Sequence, residues 1–440
     1  MNKWLGLFFS LLLIFSCEKQ DIPFDSELNS QLVLTLGGSR NDVAQSVIAT
    51  NDGGFAVLGY TQSNNGNILD KSDESYDFWL LKFDSNANLE WTKTFGGSED
   101  DRGFSLIQTS DSGYALLGYT SSSNGDVSTH NGARDFWLVK TDAEGTLIWE
   151  KTYGFSGVDQ GTHIIETSDN NLMISGVLDV TASGGDGIFG RNTTRHAGGD
   201  YWLLKLTSTG DLIWSRYYGG SFTDVPYEFV ETPSGEVLIV GSSDSNDVDI
   251  SSSKGSYDFW TVNANSNGEL NWERSYGGAE IDEARGIINS NDGNYVIVGD
   301  TRSRDQDVSL NNGAADIWLI KISDNGEILW NRSIGGTNFD VPRSISSTLD
   351  GGYIIAGSSR SSDGQLSLNQ GQNDAWLVKM NENGDLMSQK SFGGSDIDFG
   401  YDATQLQNGS YILVGESNSD NGDIQENKGF TDLLIIKTNL

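Results

Sequence analysis

The chain has 440 residues, 10% of them aromatic, with 54 glycines, 4 prolines, one cysteine and a formal net charge of −35. This length and aromatic content suffice for a large core, and abundant glycine with scarce proline points to many tight turns between short strands. So acidic a surface repels nucleic acid and anionic lipid headgroups, which argues against both as partners and favours divalent cations or basic partners.

The first residues read as an export signal rather than as part of a fold. Met1-Asn2-Lys3 is a short positive start, followed by an almost wholly apolar run from Trp4 to Phe15 that is too short to span a bilayer. It ends at Ser16-Cys17, and Cys17 is the single cysteine of the chain. A small residue and then cysteine directly after such a run resembles a bacterial lipobox, with Cys17 as the lipidated residue. The expected layout is a signal peptide over 1–16, a lipidated cysteine and polar tether over 17–26, and a folded unit over 27–440.

Beyond the tether the chain repeats. A Gly-Gly-small-x-x-Asp element starts at Gly37, Gly96, Gly219, Gly277, Gly335 and Gly393, with a degenerate copy at Gly154. Its aspartate recurs as Asp42, Asp101, Asp159, Asp224, Asp282, Asp340 and Asp398, with copies 58 or 59 residues apart except for a gap of 65 after Gly154. A second element follows: Asp77-Phe-Trp-Leu-Leu-Lys, Asp135-Phe-Trp, Asp200-Tyr-Trp, Asp258-Phe-Trp, Asp316-Ile-Trp, Asp374-Ala-Trp and Asp432-Leu-Leu.

Each unit predicts four strands. In the first, a mostly apolar strand near 46–50 leads through the turn signal Asn51-Asp-Gly-Gly54 into a second strand over 55–60. A polar loop precedes a continuous apolar third strand over 78–81, suited to cover on both faces, and 89–95 is a partly alternating outer strand. The last unit stops after its third strand, and Gln31-Leu-Val-Leu-Thr-Leu-Gly-Gly38 matches the missing fourth in register. The prediction is an all-β, seven-bladed β-propeller whose last blade is closed by the N-terminal strand, leaving no free sheet edge.

With Gly-Gly-Ser-x-x-Asp, Asp-aromatic-x-x-x-Lys and the Asp/Asn-x-x-Gly-x-Leu turn on the page, the unit resembles the bacterial β-propeller repeat called SBBP. That resemblance covers about residues 31–440, and it implies an exported or lipid-anchored protein with no fixed catalytic set. This chain has Asp-Phe-Trp where that repeat has Asp-Ala-Phe. The stretch Thr141-Asp-Ala-Glu-Gly-Thr-Leu-Ile-Trp149 is similar to one hairpin of quinoprotein propellers, but no vicinal cysteine pair accompanies it.

Recurrence in every unit gives the seven Gly-Gly aspartates a structural reading, as acceptors for backbone amides between blades, over a ring that holds Ca²⁺. Eleven of the twelve tryptophans sit at repeat positions and read as packing residues, not as a sugar platform. Ser388 and Leu32 stand where outer strands otherwise carry tryptophan, which predicts looser packing in the last two blades. Function is better sought where the repeat varies. The third unit carries extra residues within 179–200, including Arg191, Arg195 and His196, three cationic candidates for an anionic group against a tolerated surface insertion. Three residues after each aspartate stand Gln45, Phe104, Thr162, Tyr227, Arg285, Arg343 and Tyr401. Of these, Tyr227, Arg285, Arg343 and Tyr401 suit a carboxylate or sugar ligand at the channel mouth, unless they are ordinary rim variation. His130, His163 and His196 lack metal-ligand spacing, and no nucleophile or phosphate motif is present.

The expected function is a monomeric, lipid-anchored protein of the cell envelope, at the outer membrane. Its propeller binds or scaffolds a protein or glycan through the loop-rich face, with no cofactor beyond possible Ca²⁺. The alternatives are a carbohydrate-active enzyme using carboxylates such as Glu228 and Asp402, and a structural envelope protein without a ligand.

Overall fold

The computed structural model describes residues 31–179, 198–366 and 368–440. Twenty-eight strands and no helix occur among them. They form seven four-stranded antiparallel sheets. Blade 1 holds β2 (Asp42–Ala49), β3 (Phe55–Thr61), β4 (Asp77–Phe83) and β5 (Leu89–Phe95), innermost to outermost. Blades 2 to 6 repeat this order through β25 (Leu386–Phe392). Blade 7 runs β26 (Asp398–Gln405), β27 (Tyr411–Ser417), β28 (Asp432–Thr438) and then β1 (Leu32–Leu36). Each inner strand packs against the next, and β26 packs against β2, so the ring closes. The closing strand pairs from Leu32↔Lys437 to Leu36↔Leu433, as its sequence register implies.

Five third strands are buried along their whole length, for example every residue of Asp77–Phe83, and in Asp200–Leu206 and Asp432–Thr438 only the lysine is partly exposed, because blades cover both of their faces. Seven apolar clusters each draw on two neighbouring blades; one joins Trp79 and Leu81 to Leu413's neighbours Ile412 and Val414 in blade 7. The Asp-Phe-Trp order serves this packing. Its first aromatic reaches the tryptophan of the next blade: Phe78–Trp137 at 4.7 Å, Phe136–Trp202 at 4.8 Å, Tyr201–Trp260 at 4.6 Å and Phe259–Trp318 at 4.8 Å between ring centroids. Removing so large a buried ring costs ~3–5 kcal/mol.

The outer tryptophans are half-buried and cover the hairpin turn of the next blade. A Cβ on Gly145, Gly210, Gly268, Gly326 or Gly384 would lie 2.7–3.0 Å from Trp91, Trp149, Trp214, Trp272 or Trp330. These glycines have φ between 74° and 79°, where a side chain is strained as well as unaccommodated. The two exceptions are locally matched. In blade 1 the turn carries Ala87 at φ 66°, and the strand facing it carries Leu32 instead of tryptophan. Blade 7 takes its outer strand from β1, so it has no such turn for residue 388 to cover. There Lys390 Nζ donates instead to Asn439 O at 2.7 Å and Thr438 Oγ1 at 3.0 Å. The expected looseness is thus answered by compensating contacts.

One strand boundary differs from the sequence reading. The inner strand begins at Asp42, not near Ser46, because an irregularity at Gln45 breaks the alternation that would reveal it.

Closure has a direct test. Deleting residues 32–36 leaves β28 with an unpaired edge, and aggregation or a strongly lowered melting temperature is expected. A monomer that melts like the full chain would contradict closure by β1.

Candidate functional site

The seven first-strand aspartates are structural. Asp42 Oδ2 accepts the Gly38 amide at 2.7 Å and Ser63 Oγ at 2.8 Å, while Thr61 Oγ1 donates to Oδ1. All seven are fully buried. Their backbone amides donate to the preceding blade, as in Asp42 N to Thr431 O at 2.8 Å. Among the described residues no three histidine, cysteine, aspartate or glutamate side chains converge as metal ligands.

What varies lies just beyond. In every inner strand the pairing register skips one residue: Gln45, Phe104, Thr162, Tyr227, Arg285, Arg343 and Tyr401. A β-bulge releases a residue from the ladder and re-aims its side chain. All seven line a single channel cavity of about 500 Å³. The candidates Tyr227, Arg285, Arg343 and Tyr401 are therefore brought together. Arg191, Arg195, His196 and Cys17 lie outside the described residues.

The four differ in what holds them. Arg285 is largely enclosed: Nη2 meets Glu283 Oε2 at 2.8 Å, Nε meets Asp300 Oδ1 at 3.4 Å, and the guanidinium lies 4.5 Å from the Tyr227 ring centre. Tyr401 donates to Glu416 Oε1 at 2.8 Å. Arg343 is exposed and lies 5.9 Å from the Tyr401 ring, with no carboxylate at ion-pair distance among the described residues.

The residue after each bulge forms a second level: Ser46, Ser105, His163, Glu228, Gly286, Ser344 and Asp402. Some of these satisfy amides freed by the next blade's bulge. Asp402 Oδ2 accepts Val47 N–H at 2.9 Å, Glu228 Oε2 accepts Ile287 N–H at 2.9 Å, and Ser105 Oγ accepts Ile164 N–H at 3.2 Å. His163 Nε2 stands 4.0 Å from Glu228 Oε1. Burial pushes Glu228 up to about 8, with the Asp402 charge adding and the Ile287 amide opposing. Burial also pushes Asp402 up to about 6, against its hydrogen bonds, and pushes His163 down to about 4. The His163 and Glu228 side chains are 23% and 21% exposed, and partial burial disfavours the charged form of each.

Sequence reasoning missed an aromatic wall on blades 1 and 2. Tyr60 meets Tyr76 at 5.6 Å and Phe104 at 6.3 Å, and Phe104 meets Tyr119 at 5.8 Å. Arg102 lies 4.0 Å from the Tyr76 ring centre and Arg134 lies 4.4 Å from that of Tyr119. A signal existed. The residue after the invariant glycine of each second strand varies as Tyr60, Tyr119, Val177, Ser242, Asp300, Ser358 and Glu416. This position supplies the partners of Arg285 and Tyr401.

The strand pairing and ring closure make the chain a seven-bladed β-propeller with a variable channel mouth. No family model and no curated protein matches it. Solved structures similar to it include the Pan2 WD40 domain of Neurospora crassa, at TM-score 0.46 and 9% identity over 92% of this chain and 95% of that one. Sqt1 from Chaetomium thermophilum gives 0.44 and 11% over 87% and 83%. A gluconolactonase from Xanthomonas campestris gives 0.36 and 10% over 75% and 91%. Likenesses this distant assign no chemistry to this chain.

Glu228 offers a test of the channel's electrostatics. Its folded value stands above the unfolded one, so its contribution is present at low pH and lost as pH rises through about 8. Glu228→Gln should melt like the parent near about pH 4 and progressively above it from there to about pH 8. Equal melting of the two at both ends would show that Glu228 ionises freely.

Proposed function

We propose that this protein is a binding or scaffolding propeller that captures a carboxylate-bearing ligand, on a glycan or protein partner, at its channel mouth. The observation that carries this reading is Arg343. Its guanidinium is exposed at the cavity, lies beside Tyr401 and has no carboxylate at ion-pair distance among the described residues, with Glu416 and Asp300 further off, whereas neighbouring Arg285 pairs with two. A planar guanidinium in that setting suits a two-point grip on a carboxylate, and Tyr227 and Tyr401 offer flat faces to the group that bears it. The overall charge of −35 opposes the long-range approach of acidic molecules, so recognition rests on the short-range contacts at Arg343.

The finer reading is a monomer tethered to the cell envelope, at the outer membrane, through Cys17. The support is the lipobox-like run ending at Cys17 and the short distance in sequence from there to β1 at Leu32. Cys17→Ser should move the protein from the membrane fraction to the soluble one; unchanged fractionation would argue against lipidation.

Binding is tested by calorimetry with uronic-acid oligosaccharides and acidic peptides beside neutral oligosaccharides. Acid-bearing probes should bind, and Arg343→Gln should weaken them by about tenfold or more. Equal binding of neutral probes, or an unaffected variant, would refute the reading. A glycan-cleaving reading, with Glu228 and Asp402 as acid and base, draws on the same cavity. Each of these residues, however, commits one carboxyl oxygen to an amide of the next blade, which supports the binding reading. Turnover of a probe that Asp402→Asn abolishes would reverse that preference.

A further inference from the structure

Every junction between blades carries two buried aspartates, and their hydrogen bonding is unequal. The first-strand carboxylate is used at both oxygens in every blade but the fourth, where Asp224 Oδ1 has no donor: Asp340 Oδ2 accepts the Gly336 amide at 2.6 Å and Ser361 Oγ at 2.8 Å, and Ser359 Oγ donates to Oδ1. The third-strand carboxylate is half used. Asp316 Oδ2 accepts the Asn312 amide at 2.6 Å, while Oδ1 has no donor. Oδ1 is likewise without a donor in Asp135, Asp258, Asp374 and Asp432, all of them at most 1% exposed. A bare ionised oxygen in a buried site is costly, so it calls for a proton, a cation or a water.

At four of these junctions the orphan oxygen and the other carboxylate border the same glycine. A Cβ built on Gly335 would lie 2.5 Å from Asp316 Oδ1 and 2.9 Å from Asp340 Oδ2. On Gly393 the distances are 2.7 Å to Asp374 Oδ1 and 2.8 Å to Asp398 Oδ2. Gly277 gives 2.8 Å to Asp258 Oδ1 and 2.6 Å to Asp282 Oδ2, and Gly37 gives 2.9 Å to Asp432 Oδ1 and 2.5 Å to Asp42 Oδ2. The first glycine of each Gly-Gly pair leaves open the space that both oxygens line.

A calcium ion would need about six to eight oxygens, whereas two carboxylate oxygens meet here, one already holding two donors. A lysine answers the problem between blades 1 and 2, where Lys71 Nζ lies 3.0 Å from Asp77 Oδ2 and Ser75 Oγ donates to Oδ1 at 3.2 Å. Among the described residues, Asp135, Asp258, Asp316 and Asp374 have no such lysine contact, and Lys428 lies 4.0 Å from Asp432. We propose that Asp258, Asp316, Asp374 and Asp432 are held as neutral acids, each donating its proton from Oδ1 to the first-strand carboxylate across the junction.

Burial pushes Asp316 and Asp374 up to about 6, helped by Asp340 in one case and by Asp398 and Asp423 in the other. Asp258, facing Asp282, is raised too, as is Asp432, which faces Lys428 and Asp42. With folded values above the unfolded one, the stabilisation is present below the ordinary carboxylate range. For Asp316 and Asp374 it is lost as pH rises through about 6. The junctions at Asp316 and Asp374 therefore weaken between the ordinary carboxylate range and about pH 6.

The test pairs infrared spectroscopy with melting curves. Asn at the third-strand position puts an N–H where the acid proton would sit. The double variant Asp316→Asn/Asp374→Asn should lose part of the carboxylic-acid band seen near about pH 5, and should flatten the fall in Tm between about pH 5 and about pH 8. At the upper pH its Tm should exceed the parent's by roughly 1–3 °C. Three results would overturn the proposal: no carboxylic-acid band in the parent near about pH 5, a variant that melts below the parent at both pH values, or Ca²⁺ raising the parent's Tm but not the variant's. Because Glu228 and Asp402 also hold protons near about pH 5, the band lost on substitution decides, read in the single variant Asp316→Asn if the double variant fails to fold, and neither readout depends on Arg343 or its ligand.

Discussion

Each blade is stitched to the next where the amide of a first-strand aspartate donates to the carbonyl just before the next third-strand aspartate in space. All seven such bonds are present, at 2.6 to 2.9 Å, and the one from Asp42 to Thr431 joins the two ends of the ring. Apolar burial between blades is larger in energy, yet it is non-directional and would tolerate sliding. The stitch fixes the height of one blade against another, and the aspartate making it also caps the glycine turn that delivers the chain there. This double duty explains why the aspartate recurs seven times although the gap between copies widens once.

Fixed height has consequences further out. The outer tryptophans meet the next blade's turn edge-on, so the turn residue must have both a left-handed backbone and no side chain. Where the seam between the chain ends changes the partner, the pair changes together: Leu32 faces Ala87, and Ser388 faces no hairpin turn. Such paired exceptions inside a single chain speak for contact at least as strongly as the regular copies do.

Most of the wheel was legible because its determinants are local and repeated. Gly-Gly-x-x-x-Asp marks a junction, Asp-Phe-Trp marks a doubly covered strand, and the run 31–38 completes a unit short of one strand. The inner-strand start at Asp42 was hidden because a bulge breaks the two-residue alternation on which strand recognition depends. The candidate cluster was legible only as a column of variable residues. That Arg285 is engaged by Glu283 and Asp300 while Arg343 is not depends on neighbours at the ends of the second strands. In the aromatic wall, Tyr60 and Tyr119 share the position after the second-strand glycine, whereas Tyr76 comes from a loop that no such spacing links to them.

The bulge is what allows one repeat to serve both ends. Residues on either side of it stay in the ladder and are bound to the demands of stitching and packing. The released residue is excused from pairing, and it faces the channel in every blade. Its cost is an amide of the inner strand left without a ladder partner, and in three places a side chain from the preceding blade supplies the acceptor: Ser105, Glu228 and Asp402. Those acceptors then line the channel as well. Variation in the mouth is thus confined to positions where the sheet makes no claim on the side chain, so Tyr227, Arg285, Arg343 and Tyr401 could diverge without loosening the wheel.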